Sequence, residues 1–193
     1  MARTHFVKKA NKQWTCRTCR QPIEIGKPYK WFKMRYYPKF SYHDTCTIPK
    51  AHMTTSEHLG NLYGAQDDLT ASVNSFRGFA ETDFAGAVTD LISAVEEAEE
   101  MAEQEYESYT ESADNQEEYF PGSYQIDEIR EKADACEEWR TELEQARDVA
   151  EAKANEFISP DDDGEDYWDE DMILESIEEA AIAVDSACDV LTL

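Results

Sequence analysis

The period of the apolar positions changes partway along the 193-residue chain. Between Pro28 and His43, aromatic and apolar residues cluster in "YKWFKMRYY" and "KFSYH", on either side of Pro38. That pattern predicts two strands of a hairpin turned at Tyr37, Pro38 and Lys39. After Pro49 the spacing becomes helical. Leu59, Leu62, Tyr63, Gln66, Leu69 and Val73, behind a Ser56 cap, predict a helix over 56–75 that "SFRGFAETD" breaks. A second helix, capped by Thr82 or Asp83, carries Phe84, Val88, Leu91, Ile92, Val95, Ala98, Met101 and Ala102 and runs to about Ala113. Pro121-Gly122 turns the chain. A third helix covers 125–157, with Ile129, Cys136, Leu143, Ala150 and Phe157 seven apart and Ile126, Ala133 and Ala154 between them. The last carries Met172, Ile173, Ile177, Ala181, Val184, Cys188 and Leu191. The expected fold is α+β: a small β-hairpin module, then a slender, mostly antiparallel bundle of three or four helices.

Charge divides the chain where the period does. Residues 1–53 hold twelve Lys/Arg against Glu24 and Asp44, a net of +10. Residues 54–193 hold six Lys/Arg against 41 Asp/Glu, a net of −35, and the two together give the formal −25. Two domains are therefore expected, a basic module (1–53) and an acidic helical bundle (54–193), and such asymmetry concerns partners more than fold. The N-terminus has no apolar signal-peptide core, and no apolar run approaches the roughly 18 residues of a membrane span. Five cysteines, an odd number, fit a reducing cytoplasm better than a disulfide framework. Cys136 and Cys188 lie inside helical patterns and read as buried, inert thiols.

Cys16-x2-Cys19 and His43-x2-Cys46 form two chelating pairs. Zinc favours four tetrahedral nitrogen and sulfur ligands, and a small β-rich segment with little core needs such a staple. The expectation is a structural zinc on Cys16, Cys19, His43 and Cys46, with His5 and His52 as substitutes for His43. Four protein ligands leave no open catalytic position. There is also no nucleophile elbow and no phosphate-cradling glycine loop, so the chain is not expected to be an enzyme. "SPDDDGEDYWDE" (159–170) aligns with a calcium loop at Ser159, Asp161, Asp163, Gly164 and Glu170. Ser at its first position, Pro160 behind it and Asp166 at the usual apolar position favour a plain acidic connection instead.

The ligand spacing resembles the Cys-Cys-His-Cys fingers of poly(ADP-ribose) polymerase, which bind DNA ends. Lys27, Lys30, Lys33, Arg35 and Lys39, interleaved with Tyr29, Trp31, Phe32, Tyr36 and Tyr37, suit phosphate contact and base stacking. Lys27, Lys30, Trp31, Lys33, Arg35 and Lys39 are the candidate contacts. The opposing reading makes the aromatics core and the lysines solvent-facing; alternation, which sets Tyr29, Trp31 and Lys33 on one face, allows part of each.

The helices pose the opposite problem. Residues 83–113 hold ten Asp/Glu and no Lys/Arg; residues 125–157 hold eleven against five. Solvated helices usually mix signs to gain i,i+4 pairs, whereas "EEAEEMAEQEYE" accepts repulsion along its length. As an antiparallel pair, these helices approach the linear charge density of duplex DNA. Glu96, Glu97, Glu99, Glu100, Glu103, Glu107, Glu137 and Glu138 are the candidate partner-binding carboxylates.

"RTHFVKKA" (3–10), the Cys16/Cys19 pair with "IGKPYKW" (25–31), and "ESADNQEEYF" (111–120) followed by "IREKADACEEW" (129–139) resemble a group of small tailed-bacteriophage proteins. Members of that group commonly complete the metal site with cysteines, where this chain has His43 and Cys46. The resemblance implies a phage product acting in the cytoplasm of an infected bacterium, and no particular chemistry. The leading expectation is a DNA mimic: acidic helices that dock on and inhibit a host nucleic-acid-handling or defence protein with a basic surface. One alternative is a nucleic-acid-binding zinc protein restrained by its acidic bundle. Another is an assembly protein that forms, for instance, a homodimer through alanine-rich helix faces.

Overall fold

The computed structural model describes residues 3–34, 37–79, 83–158 and 170–191. The protein is α+β, with short strands followed by long helices. It divides into two compact units, Met1–Gly64 and Ala65–Leu193.

In the first unit, β1 (His5–Val7), β4 (Tyr29–Phe32) and β5 (Phe40–His43) form an antiparallel sheet in the order β1-β4-β5, while β2 (Trp14–Thr15) and β3 (Pro22–Ile23) pair separately. The expected hairpin is present, with Tyr29 opposite His43 and Phe32 opposite Phe40. Its strands are shorter than the aromatic run suggests. Pro38 has no N–H to give a ladder, and the Tyr37 N–H instead closes a turn onto the Met34 carbonyl at 3.2 Å. Strands β1, β2 and β3 are too short for any period to develop, so the pattern of the sequence did not foretell them. The core is correspondingly small: Ala10, Cys16, Ile23, Tyr29, Phe32 and Tyr42, flanked by partly buried Trp14, Trp31, Met34, Phe40 and Ile48.

The helices are α1 (Glu57–Phe79), α2 (Phe84–Tyr119), α3 (Tyr124–Ile158) and α4 (Glu170–Val190). Helix α1 passes through "SFRG" rather than breaking there. Glycine in a helix interior costs about 1 kcal/mol, but next to Gly78 the buried Phe76 and the ion pair from Arg77 to Asp185 of α4 (2.6 Å) hold the last turns. Asp83 caps α2, its carboxylate accepting the Gly86 N–H at 3.0 Å. A side chain at Gly86 would meet that carboxylate at 2.4 Å. Helix α2 also outlasts its expected end at Ala113, because Ala113 itself is buried and Gln116 reaches Gln125 of α3 at 2.8 Å.

A turn of four residues (120–123) joins α2 to α3, which fixes them as an antiparallel hairpin. The expected positions Val88, Leu91, Val95, Ala98 and Ala102 of α2, and Ile126, Ala133, Cys136, Leu143, Ala150 and Ala154 of α3, are buried. Trp139 and Ala146 join them, and Trp139 is the largest fully buried side chain among the described residues. Its indole N–H donates to the Ala187 carbonyl of α4 at 3.1 Å, which satisfies the one polar atom this ring would otherwise strand in the core. The Gln66 amide reaches the Cys188 carbonyl, so α4 is bonded to α1 as well as to α3. Buried alanines on α2, α3 and α4 let the axes approach closely. No helix among the described residues is long and apolar enough to cross a membrane.

Candidate metal centre and charged surfaces

The N-terminal cluster is assembled by two hairpins. Cys16 follows β2, and the chain turns back into β3 through Arg20, whose φ of 61° is left-handed. The Arg20 N–H donates to the Cys16 carbonyl at 3.0 Å, and the Cys16 N–H to the Gln21 carbonyl at 2.9 Å. His43 ends β5, and Cys46 lies one turn on, its N–H donating to the His43 carbonyl at 3.3 Å. The two hairpins are tied together beside the site. The Arg17 N–H donates to the Ser41 carbonyl at 3.0 Å, and the Thr18 hydroxyl to the Thr47 carbonyl at 3.1 Å.

The result brings the ligand atoms of Cys16, Cys19, His43 and Cys46 within 4.8 Å of one another, a group that could hold a metal ion. Sulfurs bound tetrahedrally at about 2.3 Å would lie about 3.8 Å apart, so the cluster is near the size a bound ion requires. His43 presents Nδ1 to the cluster, 3.3 Å from the Cys19 Sγ and 3.9 Å from the Cys46 Sγ. Its Nε2 is 3.3 Å from the Pro22 carbonyl. A carbonyl can only accept, so the ring proton belongs on Nε2 and the Nδ1 lone pair is left for a cation.

The thiols are electrostatically unequal. Burial pushes the Cys16 thiol up, but the backbone N–H groups of Cys19, His43 and Thr18 outweigh it and hold the group down at about 6. The His43 N–H lies 3.4 Å from that sulfur. Burial, and then the neighbouring sulfurs of Cys16 and Cys19, push Cys46 up to about 11. A cation would resolve the conflict, because it favours thiolate at every position. His5 and His52 are engaged elsewhere: His5 stacks on Trp31 at 4.4 Å, and His52 lies 3.3 Å from the Tyr42 hydroxyl.

The basic contacts proposed for this unit separate into two kinds. Lys27 and Lys33 are exposed, and Lys30 is half-buried. Lys39 is not a free surface cation. Its Nζ lies 4.4 Å from the Trp31 ring, 4.6 Å from Trp14 and 4.8 Å from Tyr29, and it donates to the Tyr29 hydroxyl at 2.7 Å. Lys12 stands over Trp14 as well, at 4.3 Å. Trp31 therefore has His5 and Lys39 against it, and Trp14 has two lysines, which leaves little open ring for a stacked base. Arg35 lies outside the described residues, as does the 159–169 stretch considered for calcium.

On the α2–α3 hairpin, Glu96, Glu97, Glu100, Glu103, Glu107 and Glu138 are exposed, while Glu99 and Glu137 are half-buried. Arg147 of α3 reaches across to Glu99 at 2.5 Å, and burial raises the Glu99 carboxyl above its usual range despite that arginine. Arg140 pairs with Glu137 at 2.8 Å, holding that carboxyl down. Arg130 pairs with Glu117 of α2, and Lys153 with Glu179 of α4 at 2.7 Å. Between the helices, Glu96, Glu99, Glu100, Glu103 and Glu144 line one shallow groove with Arg140 and Arg147. The sequence did not reveal that the arginines of α3 are spent on carboxylates of α2 and α3. It also left unremarked the aromatic residues where α2 turns into α3.

Comparison with known proteins found no matching family model, no matching curated protein and no matching solved structure.

Proposed function

We propose that this is a non-enzymatic binding protein: its N-terminal unit is stapled by a structural zinc, and its acidic α2–α3 hairpin is the working surface. The hairpin docks on a Lys/Arg-rich face of a nucleic-acid-handling or defence protein and occupies it in place of DNA. The phage resemblance would set this in the cytoplasm of an infected bacterium. One observation carries the reading. Helix α2 has twelve Asp/Glu and no Lys or Arg over 36 residues, α3 has eleven against five, and each arginine of α3 is paired with a carboxylate. Over roughly 54 Å of helix that leaves about one net charge per 3 Å, against about 1.7 Å for duplex DNA. A basic groove senses sign and spacing, and a rigid helical pair supplies both. Zinc is the ion assigned because the donor set is three sulfurs and an imidazole nitrogen, which suits a closed tetrahedral site.

The test is capture from nuclease-treated bacterial lysate, using the full chain and a variant with Glu96, Glu97, Glu100, Glu103 and Glu107 all changed to Gln. The expected result is a DNA-binding protein retained by the native chain, released by salt and lost with the variant. Equal retention by both chains, or retention of nucleic acid alone from untreated lysate, would move the function to the basic unit.

A further inference from the structure

The tip of the acidic hairpin is not acidic. Tyr119, Phe120 and Tyr124 stand there 69%, 69% and 72% exposed. Aromatic side chains offer on the order of 150–250 Å² each, so three of them at this exposure present roughly 300–500 Å² of largely apolar surface. Exposed apolar area of that order, gathered at one turn, is often functional.

The display is held in place rather than loosely hung. The Phe120 N–H donates to the Gln116 carbonyl at 2.8 Å and the Ser123 N–H to the Phe120 carbonyl at 3.2 Å. Gly122 takes a φ of 81°, which a side chain would resist. Gln116 bonds Gln125 across the turn, and Ile126 is buried just beneath it. Nothing in this bonding needs aromatic residues: the backbone and the Gln and Ser side chains close the turn. The tip is ringed by exposed Glu117, Glu118, Asp127 and Glu128, and its nearby cation, Arg130, is paired with Glu117.

We infer that Tyr119, Phe120 and Tyr124 form an anchor that enters an apolar cleft bordered by lysine or arginine on a partner protein. The inference rests on the acidic docking proposed above and adds its fixed point: the carboxylates steer and align, while the aromatic tip sets the register. Charge complementarity selects this occupant. An anionic membrane repels the acidic ring, and a second copy would bring two acidic rings together. Rigid aromatic side chains also lose little freedom on binding and are the commonest anchors of interfaces.

The probes are two helical peptides of equal positive charge, one of alternating leucine and lysine faces and one with serine in place of leucine. The full chain is titrated with each, beside the variant Tyr119→Ser/Phe120→Ser/Tyr124→Ser, whose helical circular dichroism confirms folding. The native chain should prefer the leucine peptide by about tenfold, and the variant should bind both peptides as the native chain binds the serine peptide. A preference that survives in the variant, or is absent in the native chain, overturns the anchor while leaving the acidic docking intact. Native binding to phosphatidylcholine vesicles, or self-association, lost in the variant overturns it in favour of a lipid or a second copy. Failure of both peptides to bind any chain overturns the acidic docking as well.

Discussion

The two units reach stability by opposite routes. The first has short strands of two to four residues and six buried core residues around the Cys/His cluster. The second has helices of 21 to 36 residues and a continuous seam in which Trp139, Leu143, Leu91 and Val184 are fully enclosed. A core as small as the first does little to offset the ordering of its own chain, and an ion held by the Cys/His group would supply a cross-link. The second buries a long seam of side chains, against which carboxylates stand close to one another along α2. Each unit is therefore vulnerable at a different place: one at its Cys/His group, the other in its packing.

Removing metal should therefore produce the largest and most one-sided effect. Structural zinc contributes on the order of 10–16 kcal/mol of apparent binding energy in small fingers. Chelation, or Cys16→Ser, should abolish the tertiary signals of Trp14 and Trp31 while leaving most helical circular dichroism in place. Loss of the helical signal in parallel would mean that the two units do not fold independently. The reverse perturbation is Trp139→Ala, which removes a fully buried indole and its hydrogen bond to Ala187. It should cost the helical unit about 3–5 kcal/mol in denaturant unfolding without altering the absorption of cobalt bound at the N-terminal site.

High pH offers a subtler contrast. Burial first of all pushes the Tyr42 phenol up to about 12. Because the folded value is the higher one, Tyr42 supports folding fully below about pH 10, and that support is lost as the pH rises toward 12. Burial raises the Tyr63 phenol as well, so absorbance of tyrosinate should show a late-titrating component that Tyr42→Phe diminishes. The smallest expected effect is at the α2 cap: Asp83→Ala should cost about 1 kcal/mol, read as a lower midpoint of helical unfolding with no change in metal affinity.

How legible each unit was follows from the same difference. Helical periodicity over twenty or more residues survives local exceptions, so Leu91, Val95, Leu143 and Val184 could be placed from spacing alone. The ends could not, because α1 continues through Gly78 and α2 past Ala113, where tertiary partners such as Asp185 and Gln125 hold them. Trp139 was missed because it sits beside the seven-residue repeat of Cys136 and Leu143 rather than on it. In the first unit the Cys/His group was plain, since paired x2 spacing is the pattern of a group that could hold a metal ion. The strands β1 to β3 were not, being too short to show a pattern. Lys39 looked like a surface cation because sequence gives charge but not the company of Trp14, Tyr29 and Trp31.

We propose above that the acidic hairpin takes the place of DNA on a basic protein surface. The most direct test of that proposal is competition: a host protein captured by the full chain is titrated with duplex DNA while retained protein is measured. Binding should be mutually exclusive, with DNA releasing the captured protein and the chain displacing DNA in return. A ternary complex that keeps both the chain and the duplex on the same protein would contradict it.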